Sequence, residues 1–340
     1  MSHKMRAMVL RRIAPLGFHA APLEYTEIPI PEARPNEVLI KVSTCGVCHT
    51  ELDEIEGRTA PPQFPIVLGH EVVGSITNRG SLATKFNLGD RVGVGWIHSS
   101  SGAEDENLSE RFCATGRDVN GGYADYMTAP EDYVYPIPPD FTDEQAAPLL
   151  CAGAIGYRAL KLTKIVNGER LGLTGFGGSA HLVLQLVRHV YPESPVYVFA
   201  RDADQRDLAI SLGAAWTGDT ADRSPESLHA IIDTTPAWKP VVESLANLLP
   251  GGRLVINAIR KQEDDKDALL NLSYHQHLWM ERGLKSVANI TRHDISEFLP
   301  LAAEAGLRPV TQTYTLEDAN QAILDLKFGR VRGAKVLSVN

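Results

Sequence analysis

Cysteine is scarce in this sequence, which has four cysteines among 340 residues. A chain of this length with so few thiols is not built on a disulfide framework, and this excludes the small disulfide-stabilised domains. Two of the four stand in the segment Cys45-Gly-Val-Cys48. A redox-active CxxC opens a helix after a strand within a thioredoxin-like pattern, and that pattern is absent. Metal binding is therefore the better interpretation.

Long apolar runs and an excess of positive charge are missing as well. The N-terminal apolar run covers only Ala7–Leu10, which is too short for a signal-peptide core. No stretch reaches the roughly 18 apolar residues of a membrane span. The formal net charge is -9, whereas a nucleic-acid binder needs a basic face to neutralise phosphates. We therefore expect a cytoplasmic protein without a nucleic-acid or membrane partner.

The composition is that of a globular protein with two domains. Hydrophobic residues make up 44% of the chain and charged residues 22%, which excludes a disordered or fibrous chain. At about 150 residues per domain, the length predicts two domains. The first part of the chain has short apolar runs bounded by glycine, proline and asparagine, which indicate an irregular β-rich domain. From about Gly168 onwards, apolar strands alternate with amphipathic helices, a pattern typical of βαβ units with a parallel sheet.

These patterns predict individual elements. The predicted strands are Val38–Val42, Val72–Ile76, Arg91–Trp96, Arg170–Thr174, Val196–Phe199, Ala230–Asp233, Arg253–Ile256, Leu284–Ala288 and Ala334–Val339. The predicted helices are Ala180–Val190, Gln205–Leu212, Lys239–Leu249, Ser296–Glu304 and Glu317–Phe328.

A glycine-rich segment, Gly175-Phe-Gly-Gly-Ser-Ala180, follows a predicted strand and opens a predicted helix. In this GxGxxA pattern Gly175 permits a tight turn, Gly177 lets the backbone approach a pyrophosphate, and the small third residue allows close helix–strand packing. The helix N-terminus attracts the anion through its unpaired N–H groups. We predict a dinucleotide site with Gly175, Gly177 and Gly178 as coenzyme-binding residues. The alternative is an ordinary glycine-rich turn.

The end of the next predicted strand carries no acidic residue. An enzyme that uses NAD normally offers Asp or Glu there to the adenosine ribose, whereas this chain has Ala200 followed by Arg201. A guanidinium suits a 2′-phosphate, which it binds through two hydrogen bonds. We therefore predict that Ala200 and Arg201 favour NADP(H). NAD(H) stays possible, because Asp202 becomes the ribose ligand if Arg201 is only a solvated loop residue.

Three further segments carry thiol, imidazole and carboxylate side chains: Cys48-His-Thr-Glu51, Gly69-His-Glu71 and Leu149-Leu-Cys-Ala-Gly153. Together with the glycine-rich segment, and in this order, they resemble the metal-binding and coenzyme-binding segments of zinc-containing medium-chain alcohol dehydrogenases. The resemblance spans essentially the whole chain. Two thiolates and an imidazole suit Zn²⁺ and leave a fourth position open, a ligand set that is known from alcohol dehydrogenases themselves.

The resemblance implies that Cys48, His70 and Cys151 hold one catalytic zinc ion per subunit, with Glu71 close enough to serve as an alternate ligand. Such an ion acts as a Lewis acid on the oxygen of an alcohol or aldehyde. Cys45 is not a ligand position in the family, and we expect it to be a small buried apolar residue.

By the same resemblance, Thr50 hydrogen-bonds the substrate oxygen and begins a proton relay, and His49 lies near the coenzyme pyrophosphate. The family's relay often ends in a histidine, but this chain has Asp53 there, so the proton leaves through Asp53, Glu54 or water. Glu51 stands where the family usually has aspartate, at a position whose carboxylate orients a ligating imidazole.

Many members of the family hold a second, structural zinc ion with four cysteines in a lobe. The corresponding stretch here, Ser99–Ser109, contains no cysteine. Ser101 and Ser109 align with the outer two ligands, and a serine hydroxyl does not replace a thiolate in a closed tetrahedral site. Cys113 is nearby but alone. We therefore expect one zinc ion per subunit.

The resemblance implies an α/β protein with a GroES-like β-domain at residues 1–152 and 292–340 and a doubly wound Rossmann domain with a parallel sheet at residues 153–291. It implies a zinc-dependent oxidoreductase that passes hydride between an alcohol, aldehyde or ketone and NAD(P), assembled as a homodimer or homotetramer. Two alternatives stay open. One is a zinc-free quinone or enoyl reductase of the same superfamily, which lacks the Cys/His/Cys set, and the other is a non-catalytic NAD(P)-binding protein.

Overall fold

The computed structural model describes residues 4–328 and 333–339 of the chain. These residues divide into two compact units. The first comprises the chain up to Ala154, the segment Asn289–Ala303 and the chain from Arg308 onwards, and the second comprises Ile155–Ala288 and Glu304–Leu307. Among the described residues, no helix is both long enough and apolar enough to cross a lipid bilayer.

The N-terminal part of the first unit consists mainly of strands, as its short apolar runs predict. In chain order its elements are β1 (Lys4–Leu10), β2 (Leu23–Pro29), β3 (Glu37–Val47), α1 (His49–Ile55), β4 (Ile66–Val67), β5 (Val72–Arg79), β6 (Arg91–Val94), β7 (Ile97–Ser99), β8 (Cys113–Ala114), β9 (Tyr126–Pro130), β10 (Val134–Pro136) and α2 (Asp143–Ala146).

β3 is the central strand of this unit. It pairs antiparallel with both β5 and β9, and most of its side chains are buried in the hydrophobic core. Because β3 ends at Val47 and α1 begins at His49, Cys48 occupies the junction between a buried strand and a helix. The core thereby fixes the position of the first predicted metal ligand.

The second unit alternates strands and helices. Its elements are α3 (Ala152–Thr163), which begins in the first unit, followed by β11 (Leu171–Thr174), α4 (Ala180–Val190), β12 (Val196–Phe199), α5 (Ala203–Ser211), β13 (Trp216–Gly218), β14 (Leu228–Asp233), α6 (Lys239–Ala246), β15 (Leu248–Ile256) and β16 (Gly283–Ser286).

In the described part of the chain, the sheet of the second unit has the strand order β13-β12-β11-β14-β15-β16, and every neighbouring pair is parallel. The chain starts at β11, adds β12 and β13 on one side, and then adds β14 to β16 on the other. This is a doubly wound sheet whose strand order reverses between β11 and β14. Ligands of such sheets bind outside the carboxyl ends of the strands at that point.

The chain then returns to the first unit with α7 (Arg292–Glu304), β17 (Thr311–Thr315), α8 (Ala319–Phe328) and β18 (Ala334–Ser338). β18 pairs antiparallel with β3 and parallel with β17. The C-terminal segment therefore extends the sheet that contains β3. The predicted α/β class, a β-rich unit together with a doubly wound parallel sheet, is confirmed.

The elements differ from the sequence prediction in a few places. α6 ends at Ala246 rather than Leu249, because Leu248 already pairs with Leu228 at the start of β15. The sequence patterns also miss several strands, among them β1, β2, β9, β13 and β17, of which the last two illustrate the reason. Both are short strands with few buried side chains, so their apolar alternation is weak.

Candidate metal and coenzyme sites

Four potential metal ligands converge in the first unit. Their ligand atoms all lie within 4.8 Å of one another, and among the described residues this is the one group of histidine, cysteine and acidic side chains with that geometry. The four come from three chain segments: Cys48 precedes α1, His70 and Glu71 lie between β4 and β5, and Cys151 precedes α3.

The spacing of these atoms suits a tetrahedral ion. Sγ of Cys48 lies 3.9 Å from Sγ of Cys151, and two thiolates bound to one tetrahedral zinc ion lie about 3.8 Å apart. Nε2 of His70 is buried, and no side chain in the described part of the chain satisfies it with a hydrogen bond of ordinary geometry. A buried nitrogen of this kind is costly unless a further group binds it. The residues therefore fit zinc, with Glu71 as a fourth donor.

A carboxylate orients the imidazole. Oε1 of Glu51 lies 2.6 Å from Nδ1 of His70, and both side chains are fully buried. Oε2 of the same carboxylate accepts a hydrogen bond of 2.8 Å from the backbone N–H of Cys48. One glutamate therefore positions two of the three predicted ligands, and the chain accommodates the extra methylene relative to the family's aspartate.

Gly46 makes room for the fourth donor. A Cβ atom at this position would lie 1.7 Å from Oε2 of Glu71, so only glycine allows the buried Glu71 carboxylate to approach β3. Gly46 carries no signal of this role in the sequence, because the role depends on a residue that is distant along the chain. Cys45, which precedes it, lies in the hydrophobic core and outside the group of potential ligands.

The buried ligand side chains shift one another's proton affinities. The hydrogen bond between the two thiols lowers the pKa of Cys48 and raises the pKa of Cys151. Burial alone would lower the pKa of His70, but the charge of Glu51 and the contact with Cys48 raise it well above its ordinary value. Burial and the charge of Cys48 raise the pKa of Glu71. Metal binding to this group must therefore displace protons from it.

The two residues that follow Cys48 lie in different surroundings. Thr50 is buried, and its Oγ1 lies 3.7 Å from Sγ of Cys48. His49 is exposed at the start of α1. The structure thus brings the Thr50 hydroxyl to the group of ligands, as the sequence predicts, and leaves His49 at the surface of its unit.

Two acidic residues of α1 are candidates for the end of the proton relay. Asp53 is almost fully buried and forms an ion pair with Arg58, whose side chain is 36% exposed. Glu54 is fully buried, and no described residue satisfies either carboxylate oxygen with a hydrogen bond. Burial and the charge of Glu51 raise the pKa of Glu54 well above its usual range.

In the second unit, the glycine-rich segment connects the carboxyl end of β11 to α4. Gly175 has a φ of +74°, which is a conformation that favours glycine. Cβ atoms at Gly177 and Gly178 would meet nothing within 4 Å, so the backbone here is open to a ligand. Ala180 is fully buried, as close packing of the helix on the sheet requires. These observations fit a pyrophosphate at the N-terminus of α4.

Two guanidinium groups lie at the predicted adenosine end of the site. Ala200 directly follows β12 and is buried, whereas its neighbour Arg201 is exposed. Arg206, which the sequence analysis missed, donates through Nη1 to the carbonyls of Ala200 and Arg201 at 2.6 and 3.0 Å. Asp202 caps α5 and accepts a hydrogen bond of 2.9 Å from the backbone N–H of Asp204. The one carboxylate that the sequence offered as a ribose ligand is thus a helix cap.

A carboxylate organises the lobe at residues 99–109. Glu106 is fully buried and accepts hydrogen bonds from the backbone N–H of Gly102, the hydroxyl of Tyr133 and the backbone N–H of Arg292, at 3.1, 2.9 and 2.8 Å. Arg292 donates in turn to the carbonyl of Gly102 at 2.8 Å. Burial and the hydrogen bond to Glu106 raise the pKa of Tyr133 to about 12. The sequence did not reveal this network, because Arg292 is remote along the chain.

Comparison with known proteins agrees with this architecture. The family model of the alcohol dehydrogenase GroES-like domain matches residues 34–139. The chain is 38% identical to the probable alcohol dehydrogenase AdhA of Mycobacterium tuberculosis (strain CDC 1551 / Oshkosh), over 98% of this chain and 97% of that protein. It is 32% identical to an alcohol dehydrogenase of Geobacillus stearothermophilus, over 94% of this chain and 97% of the relative.

Among solved structures, the cinnamyl alcohol dehydrogenase SbCAD4 of Sorghum bicolor matches with a TM-score of 0.83 and 27% identity, over 99% of this chain and 98% of that chain. A GroES-like unit and a doubly wound unit, with a Cys/His/Cys group in the first, define a medium-chain dehydrogenase. The chain belongs to the zinc-dependent alcohol dehydrogenases of that family. It is an NAD(P)-dependent oxidoreductase of alcohols and aldehydes, and its group of cysteine, histidine and glutamate side chains could hold a metal ion.

Proposed function

We propose that Cys48, His70 and Cys151 hold one zinc ion in this enzyme, that Glu71 is an alternate ligand, and that NADP(H) is the preferred coenzyme. The convergence of four ligand atoms within 4.8 Å carries the metal assignment. The zinc-free reductases of the superfamily lack this set, and a non-catalytic binding protein has no use for a site with an open position. The bound ion supplies Lewis-acid polarisation of the substrate oxygen.

Thr50 is the residue placed to hold the substrate proton. Its Oγ1 lies beside the ligand group, 3.7 Å from Sγ of Cys48, and a hydroxyl can accept one proton while it donates another. During alcohol oxidation Oγ1 accepts the proton of the substrate hydroxyl and passes its own proton on. During aldehyde reduction the same hydroxyl donates to the substrate oxygen.

We assign the next step of the relay to Asp53 rather than Glu54. Asp53 and Glu54 lie three and four residues after Thr50 and therefore both on its face of α1, so their burial and their partners distinguish them. The ion pair of Asp53 with the partly exposed Arg58 leads towards solvent. Glu54 is fully buried, and that burial raises its pKa and so disfavours its charged form.

The preference for NADP(H) is supported by the groups at the end of β12. Arg201 is exposed next to Ala200. The guanidinium of Arg206 donates to the backbone carbonyls of these two residues and adds a second positive charge there. Two cations favour a 2′-phosphate over a ribose hydroxyl. Asp202 uses Oδ1 of its carboxylate to cap α5, so the acidic side chain nearest to β12 is partly committed to that helix.

We propose that the substrate is an apolar alcohol or aldehyde. The ring of Trp96 lies 6.1 Å from the ring of His70, and Phe112 packs 5.6 Å from Trp96. Aromatic side chains therefore lie beside the ligand group. Ile55 of α1 belongs to the hydrophobic core instead. A relative with the same fold is named for cinnamyl alcohol, which is consistent with an aromatic substrate.

We further propose a homodimer, alone or paired into a homotetramer, that forms through β16. This strand lies at the edge of the sheet, and all four of its residues are exposed. Leu284 on the strand and Trp279 and Met280 before it are about half exposed. A second copy would cover this apolar edge across a twofold axis. Sedimentation that shows only monomer at micromolar concentration would contradict the dimer.

The cytoplasmic location and the domain limits at residues 152/153 and 291/292 stay predictions of the sequence. Metal analysis of the purified protein, together with assays over a panel of alcohols and aldehydes with each coenzyme, tests the proposed function. We expect one equivalent of zinc, loss of turnover on chelation, and a higher kcat/KM with NADPH. Full turnover without metal would contradict the zinc assignment, and coenzyme binding without any turnover would support the non-catalytic alternative.

A further inference from the structure

A buried ion pair lies at the carboxyl edge of the parallel sheet. Asp233, the last residue of β14, is fully buried, and its Oδ2 pairs with Nζ of Lys261, whose side chain is only 9% exposed. Desolvation of both charges offsets most of their attraction, so a buried ion pair is by itself a weak source of stability. The role of Asp233 and Lys261 is better judged from the hydrogen bonds that each forms to neighbouring loops.

The other carboxylate oxygen of Asp233 joins two loops. Oδ1 accepts hydrogen bonds from Oγ1 of Thr174 at 2.6 Å and from Oγ1 and the backbone N–H of Thr235 at 2.7 and 3.1 Å. Thr174 ends β11 and directly precedes Gly175 of the glycine-rich segment. Thr235 lies in the loop after β14. One carboxylate thus connects the start of the glycine-rich segment to the loop after β14.

The ammonium group of Lys261 binds the same loop from the other side. Besides Asp233, Nζ donates to the carbonyls of Thr235 and Ala237 at 2.7 and 3.0 Å. These three contacts use the full donor capacity of an ammonium group. Lys261 therefore acts as a fixed connector between the segment after β15 and the loop after β14.

Backbone contacts reinforce this connection. The backbone N–H of Asn257 donates to the carbonyl of Asp233 at 2.7 Å, and that of Gln262 donates to the carbonyl of Pro236, also at 2.7 Å. The side-chain amide of Asn257 lies 3.2 Å from Oγ of Ser179 in the glycine-rich segment. The loops after β11, β14 and β15 are thus connected to one another at the edge where the strand order reverses.

We propose that the Asp233–Lys261 ion pair positions the coenzyme-binding loops, so that Asp233 and Lys261 are positioning residues for NAD(P)(H). The inference rests on the proposed coenzyme site, because a dinucleotide lies across the carboxyl ends of the two halves of such a sheet. The loops are already in close contact: a Cβ atom on Gly175 would lie 2.9 Å from Cγ2 of Thr235. A small displacement of the loop after β14 therefore changes the shape of the glycine-rich turn.

The test measures coenzyme binding without turnover. For Lys261→Met, we expect the Kd for NADPH, obtained from nucleotide fluorescence titration of the zinc-loaded enzyme, to rise at least ten-fold. The KM for coenzyme should rise in parallel, while the zinc content and the KM for alcohol stay within two-fold of wild type. Lys266→Met is the matched control, since Lys266 forms an exposed ion pair with Glu263 in the same segment, and it should bind NADPH as wild type does.

A second variant separates positioning from stability. In Asp233→Asn/Lys261→Met no lone charge is buried, so the thermal unfolding temperature should return towards that of wild type. The weakened NADPH binding should persist, because the bonds from Nζ to the loop are lost in both variants. If Lys261→Met does not fold, the double variant carries the test alone.

Two results would overturn the inference while leaving the coenzyme assignment intact. One is NADPH binding within two-fold of wild type in whichever variants fold. The other is recovery of both thermal stability and NADPH affinity in the double variant, which would make the ion pair purely structural. Wild-type protein that binds neither NADPH nor NADH would overturn the proposed coenzyme function, and this inference with it.

Discussion

Nδ1 of His70 lies 2.6 Å from Oε1 of Glu51, and neither side chain has any exposed surface. A carboxylate at Nδ1 holds the ring so that Nε2 is the nitrogen available to a metal, and it increases the basicity of that nitrogen. The same glutamate binds the backbone N–H of Cys48. The relationship between Glu51 and His70 therefore governs the geometry of two predicted ligands.

We predict that Glu51→Gln weakens zinc binding by about ten- to a hundred-fold, the range typical of lost partners of metal-ligating histidines. The amide keeps the size of the side chain but removes the charge at Nδ1. Competition with a chromophoric chelator measures the affinity. Glu110→Gln, at an exposed position, is the control and should bind zinc normally. Equal affinity in both variants would show that Glu51 does not support His70.

The ligands themselves are tested by Cys48→Ser, His70→Ala and Cys151→Ser. Each should lose its bound zinc and nearly all alcohol oxidation, because each variant removes one of the three predicted zinc ligands. Metal analysis and an NADPH-linked assay measure the two effects. Cys113→Ser changes a cysteine outside the group of ligands and should keep both metal and activity. Retention of stoichiometric zinc in any of the three ligand variants would contradict that assignment.

Gly46→Ala tests the space that Glu71 needs. The new Cβ atom would lie 1.7 Å from Oε2 and 2.8 Å from Cβ of Glu71, so the carboxylate and its backbone must move away from β3. We expect weaker zinc binding and a lower thermal unfolding temperature. Gly17→Ala is the control, since a Cβ atom there meets nothing within 4 Å. Unchanged zinc affinity in Gly46→Ala would mean that the position of Glu71 does not affect the metal.

Arg201→Ala should raise the Kd for NADPH by about ten- to a hundred-fold and hardly change that for NADH. A hydrogen bond to a charged group contributes on the order of 1.5–3 kcal/mol, which corresponds to that range. Arg206→Ala should act in the same direction, and Ala200→Asp should shift the preference towards NADH. Arg223→Ala removes an exposed guanidinium elsewhere in the unit and should change neither affinity. A wild-type preference for NADH, with equal effects of Arg201→Ala on both coenzymes, would contradict the proposed role of Arg201 in NADP(H) preference.

The lobe at residues 99–109 should hold its shape through Glu106 rather than through a metal. Glu106→Gln replaces one of the two acceptor oxygens by an NH2 donor, so at least one of the three donors loses its partner, and we expect a cost of about 1–3 kcal/mol and a lower unfolding temperature. Glu104→Gln alters an exposed carboxylate of the same lobe and should leave the unfolding temperature measured by calorimetry unchanged. The protein should contain one zinc ion per subunit. A second equivalent bound within the lobe would contradict this prediction.

The sequence alone predicts the two-unit architecture and the strand–turn–helix arrangement around Gly175. Its signals are local: hydrophobic periodicity and glycine positions report the backbone conformation of their own neighbourhood. α4 and β12 have the bounds that the sequence predicts. α6 does not: it ends at Ala246 because Leu248 pairs with Leu228 in the sheet, and such a pairing cannot be recognised from a single segment.

The sequence by itself also determined which chemistry this protein offers, since thiols, an imidazole and a glycine-rich turn keep their character wherever they stand. Only the tertiary structure decided how those groups are supported. Gly46 against Glu71, Lys261 against Asp233, and Glu106 against Arg292 are pairs in which one partner has no recognisable motif of its own. Their roles depend on distances between remote chain segments, and the packing of buried strands and loops sets those distances.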